Sequence, residues 1–388
     1  MAKNVLFLIH GVGRQGDDWA DLPDGPIATL ETAAQGYAFF QGRKLRDLVD
    51  IVPIRYDDLF DRILGQWQQM AASLKTLPVA APEALEVALD LLAKASDDKN
   101  TFVAYGADVP LYRAFRLFAQ RVQLRVIQRI AETMAERNAS MDGTAARFVV
   151  VAHSLGTTVA HDSLKLLGST DWLSAEIEAG PADAATEAKA YRTAHKKLLK
   201  ARTIPNPFAP GYASFKSVYM VSNTSPLLQT TCAPESSIVC PIPVGGSPAA
   251  YCQSFYNVDH SFDPISKVRP FAMPTTWAAT GGKGIGVDHF HDANVHAFSH
   301  YLLHPQVHVN ILMDLVDGFE LTDGEAERAS AFPRFGGKVA AATAGARTIL
   351  EERLKKIVSD AAAPAVKELR RLMAAREALE AAVADGLK

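Results

Sequence analysis

Along the chain, short apolar runs closed by turn residues alternate with longer stretches whose apolar positions recur at helical spacing. The runs at 5–9, 50–54, 147–152, 217–222 and 254–258 are rich in β-branched and aromatic residues and lack a polar alternate face. That pattern predicts strands buried on both sides, as in a parallel sheet flanked by helices. Strands interleaved with helical segments make the fold class α/β. A helical insertion over about 58–140 separates the second strand from the third. Its last segment, 111–137, places Phe115, Phe118, Val122, Val126, Ile130 and Met134 three and four apart, which predicts an amphipathic helix. Arg121, Arg125 and Arg129 recur on its other side. They are read as a solvated face in preference to a phospholipid contact.

A second insertion, 171–213, begins as a polar helical stretch and ends in a Pro/Gly-rich loop at 204–211. From Lys338 the chain turns Ala-rich and charged, and its apolar spacing predicts two helices broken near Pro364. The expected organisation is therefore one domain over 1–337 with helical insertions, followed by a C-terminal helical extension over 338–388. Whether that extension folds back on its own domain or joins a homodimer stays open.

Composition narrows the classes of function. The 388 residues are 48% apolar and 21% charged, enough for a large core and far from a disordered chain. With 40 Lys+Arg against 43 Asp+Glu, the formal charge of −3 argues against a nucleic-acid partner. No apolar run is long enough for a transmembrane segment. The N-terminal apolar stretch is too short for a secretory signal, so a cytoplasmic location is expected, with signal-independent secretion and peripheral membrane contact left open. The 3 cysteines, Cys232, Cys240 and Cys252, are odd in number and lack CxxC spacing. Neither a disulfide framework nor a zinc site is expected of them.

The most informative segment is Ala152-His153-Ser154-Leu155-Gly156, where an apolar β-branched run stops and helix-compatible residues follow. A serine on a tight strand-to-helix turn needs small neighbours two residues away on either side. Ala152 and Gly156 supply them, with Ala152 standing where glycine is usual. Ser154 would then face the positive end of the following helix, which favours developing negative charge. Directly after the first strand comes His10-Gly11-Val12-Gly13. It lacks the spacing of a phosphate loop, but its backbone can point N–H groups at an oxygen. The N–H groups of Val12 and Leu155 are the expected oxyanion hole, and His10 is read as a turn-stabilising residue.

On these motifs the chain resembles the α/β-hydrolase superfamily, in its serine esterase and lipase branch. Asn223-Thr224-Ser225-Pro226-Leu227 fits a Gly-Ser-Pro-Leu turn of such hydrolases, with Thr224 in place of glycine. Ser261-Phe262-Asp263-Pro264-Ile265 fits the loop that carries the family's acid. The resemblance covers roughly 3–316 and implies a reduced α/β-hydrolase fold, mostly parallel, without the family's first two strands. It also implies the chain order nucleophile, acid, histidine. Asp263 is the acid that matches, with Asp259 as the alternative. Of the histidines at 289, 291, 296, 300 and 304, His296 fits an Asn-x-His…Tyr-Leu pattern of related esterases. It is taken as the base, with His300 as the alternative.

His289, His291, Asp292 and His296 also read as a ligand cluster. No other segment supplies partners for it and the triad employs His296, so neither metal nor cofactor is expected. The function implied is a carboxylic-ester hydrolase (esterase or lipase) acting on a small-molecule or lipid ester through a Ser-His-Asp triad and an acyl-enzyme. Two alternatives carry the same residues: an acyltransferase or thioesterase with that triad, and a non-catalytic membrane-associated scaffold. The insertions are expected to cap the site.

Overall fold

A computed structural model describes residues 3–11, 16–59, 116–139, 146–166, 186, 188–194, 196, 215–228, 234, 237, 239–242, 251–263, 265–266, 269–289, 294–331, 348–349 and 352. Among them, six strands form one sheet: β1 (Asn4–Ile9), β2 (Val49–Ile54), β3 (Phe148–His153), β4 (Phe215–Val221), β5 (Cys252–His260) and β6 (Gly282–Val287). The spatial order is β2-β1-β3-β4-β5-β6, and every neighbouring pair is parallel. Proline cannot donate to a ladder, and Pro53 accordingly sits on the edge strand β2, opposite Leu8.

Alternate residues of each central strand face opposite layers. Val5, Phe7 and Ile9 of β1, Val150 and Ala152 of β3, and Val218 and Met220 of β4 enter one core. The helices α2 (Arg116–Ala139) and α3 (Leu155–Leu166) contribute to that core. Leu6, Leu8, Val149, Val151, Tyr219 and Val221 enter the other. There they meet α1 (Pro26–Gln35), α4 (Phe298–Leu302) and α5 (Pro305–Leu315). Apolar material on both faces is what the unalternated runs predict.

The apolar stripe of α2 is where its spacing puts it: Val122, Val126, Ile130 and Met134 are all fully buried. Its arginines do not form a free cationic strip. Arg125 pairs with Asp58 at 3.2 Å and Arg137 with Asp50 at 2.5 Å, while Arg129 is exposed. β6 and α1 are elements the apolar pattern does not announce. A further helix, α6 (Asp323–Ser330), is started by Thr322 and Glu325 in a capping box.

The rest of the 58–140 insertion, most of 171–213, nearly all of the C-terminal extension and Cys232 lie outside the described residues. Cys240 and Cys252 are buried free thiols. No helix among the described residues is long and apolar enough to cross a membrane.

Candidate active site

The site forms where strands end. β3 stops at His153, Ser154 takes a left-handed backbone with φ of 54°, and α3 starts at Leu155. A serine at positive φ is strained, and it persists only where its surroundings hold it. Here they do. The Ser154 N–H donates to the Val221 carbonyl of β4 at 2.9 Å. The Ser154 carbonyl accepts from Thr157 Oγ1 at 2.7 Å and from Thr224 Oγ1 at 2.8 Å. Thr224, where the resembled turn has glycine, thus acts as a brace for the serine turn. The hydroxyl of Thr158 in turn donates to Thr224 at 2.9 Å.

Close approach accounts for two glycines. A Cβ on Gly156 would lie 2.1 Å from the His10 carbonyl oxygen, and one on Gly11 would lie 2.7 Å from Ser154 Cβ. The turn after β1 and the start of α3 therefore touch backbone to backbone beside the serine. Leu155, at the first position of α3, carries one of the first-turn N–H groups that have no acceptor within a helix. Val12 lies outside the described residues.

The structure brings Ser154, His296 and Asp263 into one chain of hydrogen bonds, all three buried. His296 Nε2 is 2.9 Å from Ser154 Oγ, and His296 Nδ1 is 2.8 Å from Asp263 Oδ2. Burial alone would push the Asp263 carboxyl up. The charge of His296 and hydrogen bonds from His296, Ser222 and Tyr301 outweigh it and hold the group well below the usual carboxylate range. An ionised carboxylate only accepts, so Nδ1 carries the hydrogen and Nε2 presents its lone pair to the serine hydroxyl.

The two alternatives lie elsewhere. Asp259 sits within β5 in register with Gly286, and His300 donates from Nε2 to the His289 carbonyl at 2.9 Å. Of the ligand-like set, His296 belongs to the triad, and His291 and Asp292 lie outside the described residues.

Four supporting roles escape motif reading. Ser222, just past β4, also holds a positive φ, 49°; its hydroxyl donates to Asp263 Oδ2 at 2.6 Å. Tyr301 donates to the same oxygen at 2.6 Å. Burial, and next the charge of Asp263, push the tyrosine well up, which keeps it a donor. The Ile265 N–H binds Asp263 Oδ1 at 3.0 Å. His153 Nε2 donates to the His296 carbonyl at 2.7 Å, and its ring stacks on Phe298 with 4.9 Å between centroids. Burial and the neighbouring His296 hold His153 down to about 3, so it is a neutral strut for the base.

His10 is stacked on Tyr56 at 4.3 Å between centroids and donates from Nδ1 to the Gly11 carbonyl at 2.7 Å. Beside the serine lies a cavity of about 270 Å³, lined among others by His10, Trp19, Asp24, Ser154, His296 and Phe298. Compared with known proteins, the chain matches no family model, no curated protein and no solved structure.

Proposed function

We propose that the protein is a serine hydrolase of carboxylic esters, built on a reduced α/β-hydrolase fold and working through an acyl-enzyme. One observation carries the reading: Ser154, on a strained strand-to-helix turn, meets a histidine at 2.9 Å whose far nitrogen is held by a buried carboxylate at 2.8 Å. Nucleophile, base and orienting acid then stand in the order and mutual reach that acyl transfer needs.

In this reading His296 Nε2 takes the hydroxyl proton as Ser154 Oγ attacks the ester carbonyl. The oxyanion develops against the first turn of α3, where the Leu155 N–H is one donor and Val12 is the proposed second. The imidazolium, stabilised by Asp263, gives its proton to the leaving alcohol, and water then repeats the sequence on the acyl-enzyme. Asp24, an exposed carboxylate on the wall of the same cavity, favours esters with a polar or hydroxylated group at that wall.

The test is intact-mass spectrometry after exposure to a fluorophosphonate. One adduct per chain is expected on the wild type and none on Ser154→Ala, followed by turnover of p-nitrophenyl esters by the wild type alone. No adduct on either protein would remove the hydrolase reading and leave a scaffold that keeps the shape of a site.

A further inference from the structure

Behind the catalytic carboxylate lies a second group of side chains that the triad does not use. His260 closes β5, His289 follows β6, His300 is in α4, and His304 precedes α5. All four are buried. The rings of His289 and His300 stack with centroids 4.4 Å apart. His260 stands edge-on to His300 at 5.2 Å, and His304 lies 5.2 Å from His289. One ring nitrogen from each of His260, His289 and His300 falls within 4.8 Å of the other two.

The tautomers follow from a single acceptor. The His289 carbonyl receives His260 Nε2 at 2.7 Å and His300 Nε2 at 2.9 Å. A carbonyl cannot donate, so both Nε2 atoms carry hydrogen, and in the neutral rings the lone pairs are on Nδ1. Metal-binding histidines commonly rest one ring N–H on a backbone carbonyl and ligate through the other nitrogen. At His260 that nitrogen accepts the Phe262 N–H at 3.1 Å, a contact that an ion would displace.

We propose that His260, His289 and His300 form a site for a divalent transition-metal ion of the zinc class, with His304 a further imidazole beside His289. An all-imidazole donor set suits zinc, cobalt, nickel or copper and offers nothing to magnesium or calcium, which take oxygen ligands. Nitrogens on a tetrahedral zinc are about 3.3 Å apart for bonds of about 2.0–2.1 Å. The trio must therefore close by up to about 1.5 Å when the ion binds. The ion would clip together the ends of β5 and β6 and the start of α4. Asp263 lies three residues past His260, and Tyr301 adjoins His300, so the clip holds the loops that carry the acid and its donor. It touches neither the serine nor a substrate.

The full chain, stripped with a chelator, is titrated with cobalt(II) alone and then with zinc(II). One ion per chain is expected, with the visible bands of tetrahedral cobalt, displacement by zinc, and a zinc-dependent rise in melting temperature. His289→Gln and His300→Gln should weaken binding by about 100-fold or more, because even the groups behind metal ligands are worth roughly 10–100-fold. His296→Ala should bind as the wild type does. Circular dichroism establishes that each variant is folded. Absence of stoichiometric uptake, binding unchanged in a folded His289→Gln, or binding lost in His296→Ala would each overturn the site. None of these readouts depends on Ser154 being active.

Discussion

At Asp263 a single carboxylate oxygen, Oδ2, accepts from His296, Ser222 and Tyr301 at 2.8, 2.6 and 2.6 Å. Each hydroxyl spreads the charge that orients His296. Removing one leaves a more concentrated charge facing the imidazole and a looser carboxylate. Hydrogen bonds to charged groups are worth about 1.5–3 kcal/mol. Tyr301→Phe and Ser222→Ala should therefore each lower kcat about 10-fold with little change in KM. An unchanged kcat in a variant whose melting temperature falls would make these hydroxyls purely structural. The hydrogen-bonded trio is legible in the sequence because each member sits in a local pattern: Ser154 between Ala152 and Gly156, Asp263 before Pro264, and His296 after Asn294. Ser222, His153 and Thr224 were not legible as supports, because each works across the gap between strand ends, and that proximity exists only once the sheet is assembled.

The same contrast holds for elements. Five strands announce themselves as apolar runs, whereas β6, Gly282-Lys283-Gly284-Ile285-Gly286-Val287, has three glycines in six positions and no such run. It is a strand because β5 offers it a ladder, not because its residues favour extension. α1 likewise starts from Pro26 at its first position, a helix-start signal that carries little weight without a wide apolar stripe. For α3 the controlling residue is Gly156. Its alanine would place a methyl 2.1 Å from the His10 carbonyl oxygen and 2.8 Å from that of Ile9. Neither carbonyl can move without dislodging β1. Gly156→Ala should therefore cost about 3 kcal/mol or more, at the upper end of overpacking penalties. Urea unfolding measures this, and an unfolding free energy within about 0.5 kcal/mol of wild type would mean that the turn and helix are not in backbone contact.

For the whole molecule the titrating groups set the response to acid. Burial is the largest influence on His10, His153 and His308 and lowers each from the ordinary 6.5, His153 to about 3 and His308 to about 4. With the folded values depressed, the unfolded chain binds more protons below about pH 6.5. The stabilisation from keeping these rings neutral is complete above that pH and drains away as acid is added. Each ring contributes a slope of at most about 1.4 kcal/mol per pH unit. The unfolding free energy should fall between pH 7 and pH 5, by about a few kcal/mol in sum. A flat profile over that range would show that the buried rings accept protons without cost.

Because the six described strands all run the same way, the two rims of the sheet differ in kind. At the rim where strands begin, Asn4 joins β1 to the Leu315 carbonyl at the end of α5 and to the Arg147 N–H before β3, at 2.6 and 2.8 Å. Arg147 also pairs there with Asp317. That rim is joinery, and the opposite one is workshop. A fusion partner or label inserted at the Asp317-Gly318 turn would therefore be carried on the side facing away from the serine, and an engineer could rebuild either rim while leaving the other untouched.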